Sequence, residues 1–170
     1  PAAGAPAPAP EERAKAAAQA LGTRLKARLE EALAAEGPAG AIRVCSQEAP
    51  ALARQVGQEL GLSVGRTSFR LRNPANAPPE WAREWVAAQG SGAGPPDRVA
   101  EPRFQPGPAG GLRALLPITT APLCLTCHGP AEDLGPEVRA ALGERYPADQ
   151  ATGFAPGSLR GWFWVELPAE

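Results

Sequence analysis

The part of this chain that most constrains its fold is a short apolar run at residues 161–167, which has the composition of a β-strand. Side chains alternate across a strand, so Trp162 and Trp164 would face one side of it, and Phe163 and Val165 would face the other. A strand that is apolar on both faces is either buried on both sides or covers something else. The sequence therefore predicts a sheet with packing partners on each side, and 170 residues are enough for one domain with such a core.

Several other segments could supply those partners. Periodicity and composition predict helices over residues 39–47, 49–60, 79–89 and 132–143. They predict strands over residues 62–72, 98–105 and 111–119. The last two strands would form an antiparallel hairpin across a Gly/Pro turn, preceded by a Gly/Pro loop at 90–97. In the helix at 79–89, Trp81 and Trp85 lie one turn apart and are expected to pack in the core. The sum is the α+β class: helices first, then an antiparallel sheet of about four strands flanked by helices.

The N-terminal part is expected to contain a linker and a long helix. Residues 1–10 are an Ala/Pro/Gly tract, which predicts a flexible linker. Residues 11–37 are rich in Ala, Leu, Glu and Arg, end at Gly37-Pro38 and predict an amphipathic helix. The apolar stripe of this helix repeats every four residues, at Leu21, Leu25, Leu29 and Leu33. The stripe could pack on its own domain, which we favour, or pair with a second helix, in a homodimer or as a signal-coupling helix.

The charge balance argues against one class of partner. Seventeen Lys and Arg residues against 18 Asp and Glu residues give a formal charge of −1. A protein that binds a phosphate backbone needs a basic excess, so we expect no nucleic-acid partner. No run of the sequence approaches the ~20 apolar residues of a membrane-spanning helix.

The chemistry of the chain is concentrated at residues 124–128, which read Cys-Leu-Thr-Cys-His. This is the C-x-x-C-H pattern of c-type haem attachment. Two thiols three positions apart, Cys124 and Cys127, can each add to a vinyl group of the same haem, and His128 can then bind the iron from below. The pattern predicts one covalently bound haem c.

Three alternatives use the same residues differently. A thioredoxin-type dithiol would begin a helix in a βαβ unit, whereas this motif follows Pro117 and Pro122 in a predicted loop after a hairpin. A Cys₃His zinc site could recruit Cys45, but two adjacent ligands, Cys127 and His128, fit one tetrahedral ion poorly. The third alternative is a plain disulfide beside an incidental histidine. We favour haem over each of them.

The composition limits what could bind the other side of such an iron. The chain has one His and no Met, so the two usual sixth ligands are excluded. The remaining candidates are Cys45, Lys15, Lys26, Tyr146, a water molecule or an open site. Cys45 is the thiol left over from the motif, in a predicted helix among small and apolar neighbours. From composition alone, a buried core thiol is an equally good interpretation of this residue.

Several segments of the chain together match a known pattern. They are residues 45–50, a Cys followed by a Pro in a helical stretch; 64–78, which contains Arg-Asn-Pro-Ala-Asn; 124–129, the haem motif with a Gly; 146–154; and 157–161, Gly-Ser-Leu-Arg-Gly. On these segments the chain resembles a family of single-haem c-type domains with a PAS-like fold and His/Cys axial ligation. Members of that family occur in exported or membrane-anchored proteins of cyanobacteria and proteobacteria.

The resemblance implies a fold and an axial pair. The fold would be a PAS-like antiparallel sheet flanked by helices over residues 38–170, with haem held between sheet and helices. The axial pair would be His128 and Cys45, because Cys45 matches the family's ligand by its place before Pro50.

Haem propionates are carboxylates that bind Arg or amide groups. Candidate partners cluster towards the end of the strand predicted at 62–72: Arg66, Arg70, Arg72, Asn73 and Asn76. We favour Arg72 as a pocket residue and the asparagines as turn formers. Arg160 and Tyr146 are further candidates for the pocket.

A His/Cys pair would set the behaviour of the iron. A thiolate stabilises ferric iron, so the potential would be low, and on reduction Cys45 would become easier to protonate and release. Its release would open a site for a diatomic gas and let the surrounding helix shift. We therefore predict a redox- or gas-responsive sensor module with an unidentified redox or signalling partner, rather than an enzyme. The alternatives are a low-potential electron-transfer protein and, less favoured, a haem enzyme with peroxidase-like activity.

The haem motif also predicts a compartment. Haem c is attached on the export side of the membrane, where an assembly system keeps the thiols reduced. We therefore expect a periplasmic or otherwise extracytoplasmic protein. The Pro/Ala-rich start would then follow a signal peptide or a membrane tether.

Overall fold

The computed structural model describes residues 7–89 and 100–169. The helices of this part are α1 (Pro10–Gln47), α2 (Ala49–Leu60), α3 (Arg83–Ala88), α4 (Leu125–His128) and α5 (Pro136–Arg145). The strands are β1 (Ser63–Thr67), β2 (Arg103–Pro106), β3 (Leu112–Thr119) and β4 (Leu159–Leu167). These elements confirm the α+β class with a long N-terminal helix and an antiparallel sheet. The PAS-like designation and the division into linker, helix and haem domain stay predictions. Residues 1–6 of the predicted linker and the loop predicted at 90–97 lie outside the described residues.

The sheet has the order β1-β4-β3-β2, and every neighbouring pair of strands is antiparallel. The predicted hairpin is formed by β2 and β3. β4, the strand that is apolar on both faces, lies inside the sheet between β1 and β3. Both of its faces are covered, as predicted. Phe163 and Val165 pack towards α1 and α2, whereas Trp162 and Trp164 pack towards α3.

The face of the sheet towards α3 is closed by aromatic rings. Trp162 is almost completely buried and contacts the rings of Trp85 and Phe69 edge-on, at centroid distances of 5.1 and 5.8 Å. Trp81 packs against the same cluster, and its indole N–H donates a hydrogen bond to Glu166 Oε1 at 2.6 Å. The prediction that Trp81 and Trp85 pack in the core is confirmed.

α1 is bent at Gly37, which divides it into a first arm, residues 10–36, and a second arm, residues 38–47. Gly37 has φ 68° and ψ −175°, a backbone conformation open essentially to glycine alone. The sequence predicted an interruption here, and the two arms follow one another directly. An ion pair between Arg28 and Glu48, with N···O distances of 2.7 and 3.0 Å, holds the first arm against the end of the second.

The leucine stripe of the first arm packs within its own chain. Leu21 is fully buried in the core between α1, α2 and the sheet, and Leu25 packs against that core. Leu29 and Leu33 pack against a small cluster that includes Val44 of the second arm. This packing agrees with the interpretation that we favoured. A homodimer through this helix stays a prediction.

The strand predicted over residues 62–72 was too long, because β1 ends at Thr67. The Ser68 hydroxyl donates a hydrogen bond to the Arg160 carbonyl at 2.7 Å and accepts one from the Arg70 N–H at 3.1 Å. These bonds replace strand pairing and turn the chain away from the sheet. The rest of the predicted strand is therefore a loop.

Three other boundaries differ from prediction. Of the strand predicted at 98–105, residues 98 and 99 lie outside the described residues, and β2 begins only at Arg103, after a proline that has no N–H to give to a ladder. The helix predicted at 132–143 is α5, which starts later because Pro136 takes the first helical position. The helix predicted at 79–89 is a 3-10 turn, Glu80–Ala82, followed by α3. Within the described ranges, no helix has both the length and the apolar character needed to cross a membrane.

Candidate haem site

A cavity of about 310 Å³ lies between α1 and the sheet face that carries Phe163. Its volume falls in the range of about 300–1,000 Å³ that is typical of ligand pockets. Most of its wall is apolar, and the leucine stripe supplies Leu25, Leu29 and Leu33. The residues that the sequence and the resemblance favoured for the site line it: Cys45, Arg72, Cys124, Cys127, His128, Tyr146 and Arg160.

The two lysines considered as iron ligands are placed differently from Cys45. Lys15 is not among the residues that line this cavity, and its Nζ pairs with Glu12 at 2.7 Å. Lys26 does line the cavity, but its side chain is largely exposed and pairs with Glu30 at 3.7 Å. Cys45, by contrast, lines the cavity together with His128.

The C-x-x-C-H motif forms a short helical stretch, where the sequence predicted a loop. Cys124 ends a 3-10 turn, Pro122–Cys124, and the next four residues form α4. Proline at the first position favours this turn, and the Cys124 N–H donates to the Ala121 carbonyl at 2.9 Å. Residues three apart share a helix face. Cys124 and Cys127 consequently line the same cavity.

The alternative uses of these residues find little support. All three cysteines are free thiols, so none of them forms the disulfide of the third alternative. In the part of the chain that the structure describes, no group of three His, Cys, Asp or Glu side chains could hold a metal ion, which a Cys₃His zinc site would require. α4 follows an antiparallel strand, so the thiols do not lie at the start of a helix in a βαβ unit.

The ring of His128 is oriented by a backbone carbonyl. Its Nδ1 lies 2.6 Å from the Ala151 oxygen, so Nδ1 carries the proton and Nε2 keeps a lone pair. A hydrogen bond of this kind is the usual support of a metal-binding histidine. Burial, reinforced by the nearby Arg160 and Arg72, holds the pKa of His128 well below its usual range. The imidazole is therefore neutral, the form that binds a metal.

The segment 149–154, here called the latch, holds the motif through backbone hydrogen bonds. Phe154 N–H donates to the His128 carbonyl at 2.9 Å, and Gly153 N–H donates to the Gly129 carbonyl at 2.7 Å. Asp149 orders the latch itself, because its Oδ1 accepts the N–H of Ala151, the residue that binds His128, at 2.8 Å. The position of the His128 ring is thus set by a loop that lies more than twenty residues further along the chain.

Arg72 connects the latch to the motif. Its guanidinium forms an ion pair with Asp149, with an Nη2···Oδ2 distance of 3.0 Å, and the two side chains are only 11% and 10% exposed. Nη2 also donates to the carbonyls of Cys127 and Ala151, at 2.5 and 3.2 Å. Arg72 lines the cavity, but its donors are engaged in holding protein loops together. Its role towards a cofactor stays a prediction.

Two other residues of the 64–78 segment stabilise loops of the protein. Asn73 accepts the Ala75 N–H at 3.0 Å at the start of a 3-10 turn, which confirms that it forms a turn. Arg70 is not a lining residue; its Nε donates to the Gln150 carbonyl at 3.0 Å, and its guanidinium lies 4.2 Å from the centroid of the Phe154 ring.

Arg160 and Arg66 also bring positive charge to the cavity. Arg160 Nη1 donates to Ser68 Oγ at 3.0 Å and, at 3.3 Å, to the Arg70 carbonyl. Burial, together with Arg72 and Arg66, lowers the pKa of Arg160 to about 10. Arg66 lies on β1 opposite Phe163, and burial lowers its pKa as well. Among the described residues that line the cavity there are three arginines and a lysine but no Asp or Glu.

Cys45 reaches the cavity from the second arm of α1, where Ala41 and Ile42, one turn earlier, line it too. Burial raises the pKa of the Cys45 thiol, and the positive charges of Arg66 and Arg72 act against that rise. Tyr146 belongs to the same wall; burial raises its pKa, and a hydrogen bond with Ser46, the residue after Cys45, opposes the rise.

Sequence reasoning missed Asp149 and gave no role to the latch. The segment was part of the resemblance, but an acidic residue in a Pro- and Gly-rich stretch has the composition of an ordinary turn. Its side-chain partner Arg72, which also donates to the carbonyl of Cys127, lies far away in sequence. Only the folded arrangement reveals that Asp149 supports His128.

Comparison with known proteins places the chain among relatives of similar fold. The crystal structure of the cyanobacterial haem protein Tll0287 is similar to it, with a TM-score of 0.59 and 21% sequence identity, over 96% of this chain and 98% of that chain. At that identity the likeness shows a shared fold. No curated protein is significantly similar in sequence. The sequence model of the Tll0287-like family, however, matches residues 8–168, almost the entire length. This chain belongs to the Tll0287-like family.

Proposed function

We propose that this chain binds one haem c, attached through Cys124 and Cys127, with His128 and Cys45 as axial ligands. The observation that carries the proposal is the meeting of these four side chains at one cavity, two from the motif helix, one beside it and one from α1. The family match supports it, because a structurally similar relative is a haem protein.

The residues present fit the chemistry of a haem. The apolar part of the wall suits a porphyrin ring, and the neutral, hydrogen-bonded imidazole of His128 suits an iron. The cavity also carries positive charge without an acidic lining residue. A cofactor that bears two carboxylates would compensate this charge.

We further propose that the module senses redox state or a diatomic gas. When bound, the iron supplies a one-electron couple and a coordination site that a gas can occupy once a ligand leaves. Cys45 is suited to leave, because burial raises the pKa of its thiol and so favours the protonated form when a metal no longer holds it. Its helix arm is attached through the Gly37 bend, at which a change in Cys45 could alter the angle between the arms.

A sensor of this kind requires a partner and a compartment. We propose an extracytoplasmic location, since haem c is assembled there, and a redox or signalling protein that contacts α1. The low-potential electron-transfer function predicted as an alternative would keep both axial ligands in both oxidation states.

The test is spectroscopy of the protein matured with haem. Replacing both Cys124 and Cys127 by Ser should abolish haem that survives denaturation. Cys45→Ser should keep the covalent haem but lose the thiolate features of the ferric spectrum, whereas the neighbouring control Ser46→Ala should keep both. Carbon monoxide should bind the reduced parent protein more slowly than it binds Cys45→Ser, because Cys45 has to leave first. A Cys45→Ser spectrum identical to the parent's would mean that Cys45 is only a core thiol.

A further inference from the structure

We propose that Arg66 is the carboxylate-binding residue of the cavity and binds a propionate of the haem. The inference deepens the proposed function and rests on it. Arg66 lines the cavity and lies on β1 opposite Phe163, on the sheet face that α1 covers. Within residues 7–89 and 100–169, no hydrogen-bond or ion-pair partner of its guanidinium is found.

The other cations near the cavity already have partners. Arg72 is bound to Asp149 and to two backbone carbonyls. Arg160 Nη1 donates to a hydroxyl and to a carbonyl, and its guanidinium lies 5.0 Å from the centroid of the Phe154 ring. Lys26 is exposed and pairs with a glutamate of its own helix. Among the cations that line the cavity within residues 7–89 and 100–169, Arg66 is the one with neither a hydrogen-bond nor an ion-pair partner.

A buried guanidinium without a partner is costly, and such groups are normally paired. The cavity lining offers it no Asp or Glu among the described residues. A carboxylate on the ligand can accept two parallel N–H bonds from an arginine, which fixes orientation as well as charge. The β1 to β4 register fixes the backbone of Arg66 opposite Phe163, so its side chain starts from the sheet face that borders the cavity before the ligand arrives.

Arg66 has one competing role, as a partner of Cys45. After burial, the charge of Cys45 has the largest effect on the pKa of Arg66. Arg66 could act on the Cys45 thiolate and make no contact with a carboxylate. The two roles differ in one respect. A role through Cys45 does not depend on whether the propionates of the porphyrin are charged.

The experiment compares haem with its dimethyl ester, which has no charged propionate. The full chain with Cys124→Ala and Cys127→Ala would bind either porphyrin reversibly, and the two titrations would be repeated with Arg66→Gln added. We expect Arg66→Gln to weaken haem binding by roughly 10- to 100-fold and to leave binding of the ester unchanged. The control, Arg54→Gln on the exposed side of α2, should change neither.

Equal weakening of both porphyrins by Arg66→Gln would overturn the inference and favour the role through Cys45, with the proposed function intact. Absence of covalent haem from the matured protein with Cys124 and Cys127 intact would instead overturn the proposed function, and the inference with it. A second measurement uses the covalent holoprotein with ¹³C-labelled propionate carboxylates. In infrared difference spectra, Arg66→Lys should shift a labelled carboxylate band and Arg54→Lys should not; an unshifted band in Arg66→Lys would also overturn the inference.

Discussion

The two faces of the sheet are both apolar along β4 but are built for different purposes. On the face towards α3, here the closed face, Trp162 is packed against Trp85 and Phe69 with almost no exposed area. On the face towards α1, here the cavity face, the neighbouring residue Phe163 is only half-buried and borders a cavity that also holds thiols, a histidine and arginines.

This difference shows that the alternation of apolar side chains determines which side of the sheet each residue faces. It does not determine what covers that side. The closed face is filled by aromatic rings from the same chain. The cavity face is filled by aliphatic side chains at one end, where Leu21 and Val56 pack with Val165, and borders the cavity at the other. The end that borders the cavity is where the chemistry-bearing residues gather.

The largest expected effect is a difference in stability between two variants at adjacent residues of β4, one on each face of the sheet. Trp162→Ala should lower the free energy of unfolding by about 3–5 kcal/mol, the usual cost of emptying a buried aromatic site. Phe163→Ala should cost roughly 1–2 kcal/mol, because its ring is only half-buried. Urea unfolding of both variants measures the difference. Equal losses would contradict the division into a closed face and a cavity face.

The second prediction concerns the support behind the cavity face. Asp149→Ala should lower the free energy of unfolding by about 3 kcal/mol, because it leaves the buried charge of Arg72 without its carboxylate partner. Asp149→Asn keeps an acceptor and should cost less. The control is Asp133→Ala, at an exposed site, which should stay within about 0.5 kcal/mol of the parent. A loss for Asp133→Ala as large as that for Asp149→Ala would show that the ion pair with Arg72 is not the cause.

The sequence was most informative where a pattern is local. Residues close together in the chain determine three features: the alternation in β4, the hairpin of β2 and β3, and the long helix that Gly37 interrupts. The C-x-x-C-H motif is equally local, which is why its two thiols and His128 could be named. Counting residues left Cys45 as one of several candidates for the other side of the iron, and the family resemblance then favoured it; Cys45 lines the same cavity.

Interactions between distant segments could not be predicted in the same way. β1 ends early because Ser68 bonds to Arg160, ninety-two residues away. Arg72 was preferred over Arg66 for the pocket, but the structure engages Arg72 with carbonyls of the motif and the latch. Every residue has the same backbone carbonyl. Composition and spacing therefore could not show which arginine would donate hydrogen bonds to these carbonyls.

The smallest expected effect is a pH dependence that belongs to the cavity face alone. In the chain made without haem, burial and nearby Arg160 keep the pKa of His128 well below its usual range, whereas the unfolded chain should titrate near the usual value of about 6.5. Between those two pKa values the unfolded state binds one proton more than the folded state. Stability is therefore complete above pH ~6.5 and falls on acidification, by at most about 1.4 kcal/mol per pH unit, until the folded-state pKa is reached.

The measurement is urea unfolding between pH 7.5 and 5, compared with His128→Asn, which has an amide N–H to offer the Ala151 carbonyl but no titrating ring. The chain has one histidine, so the difference between parent and variant isolates it. Trp85→Phe on the closed face should lower stability by the same amount at every pH, because the slope depends only on the protons bound in each state. A slope that persists in His128→Asn would assign the proton to another group and remove this distinction between the faces.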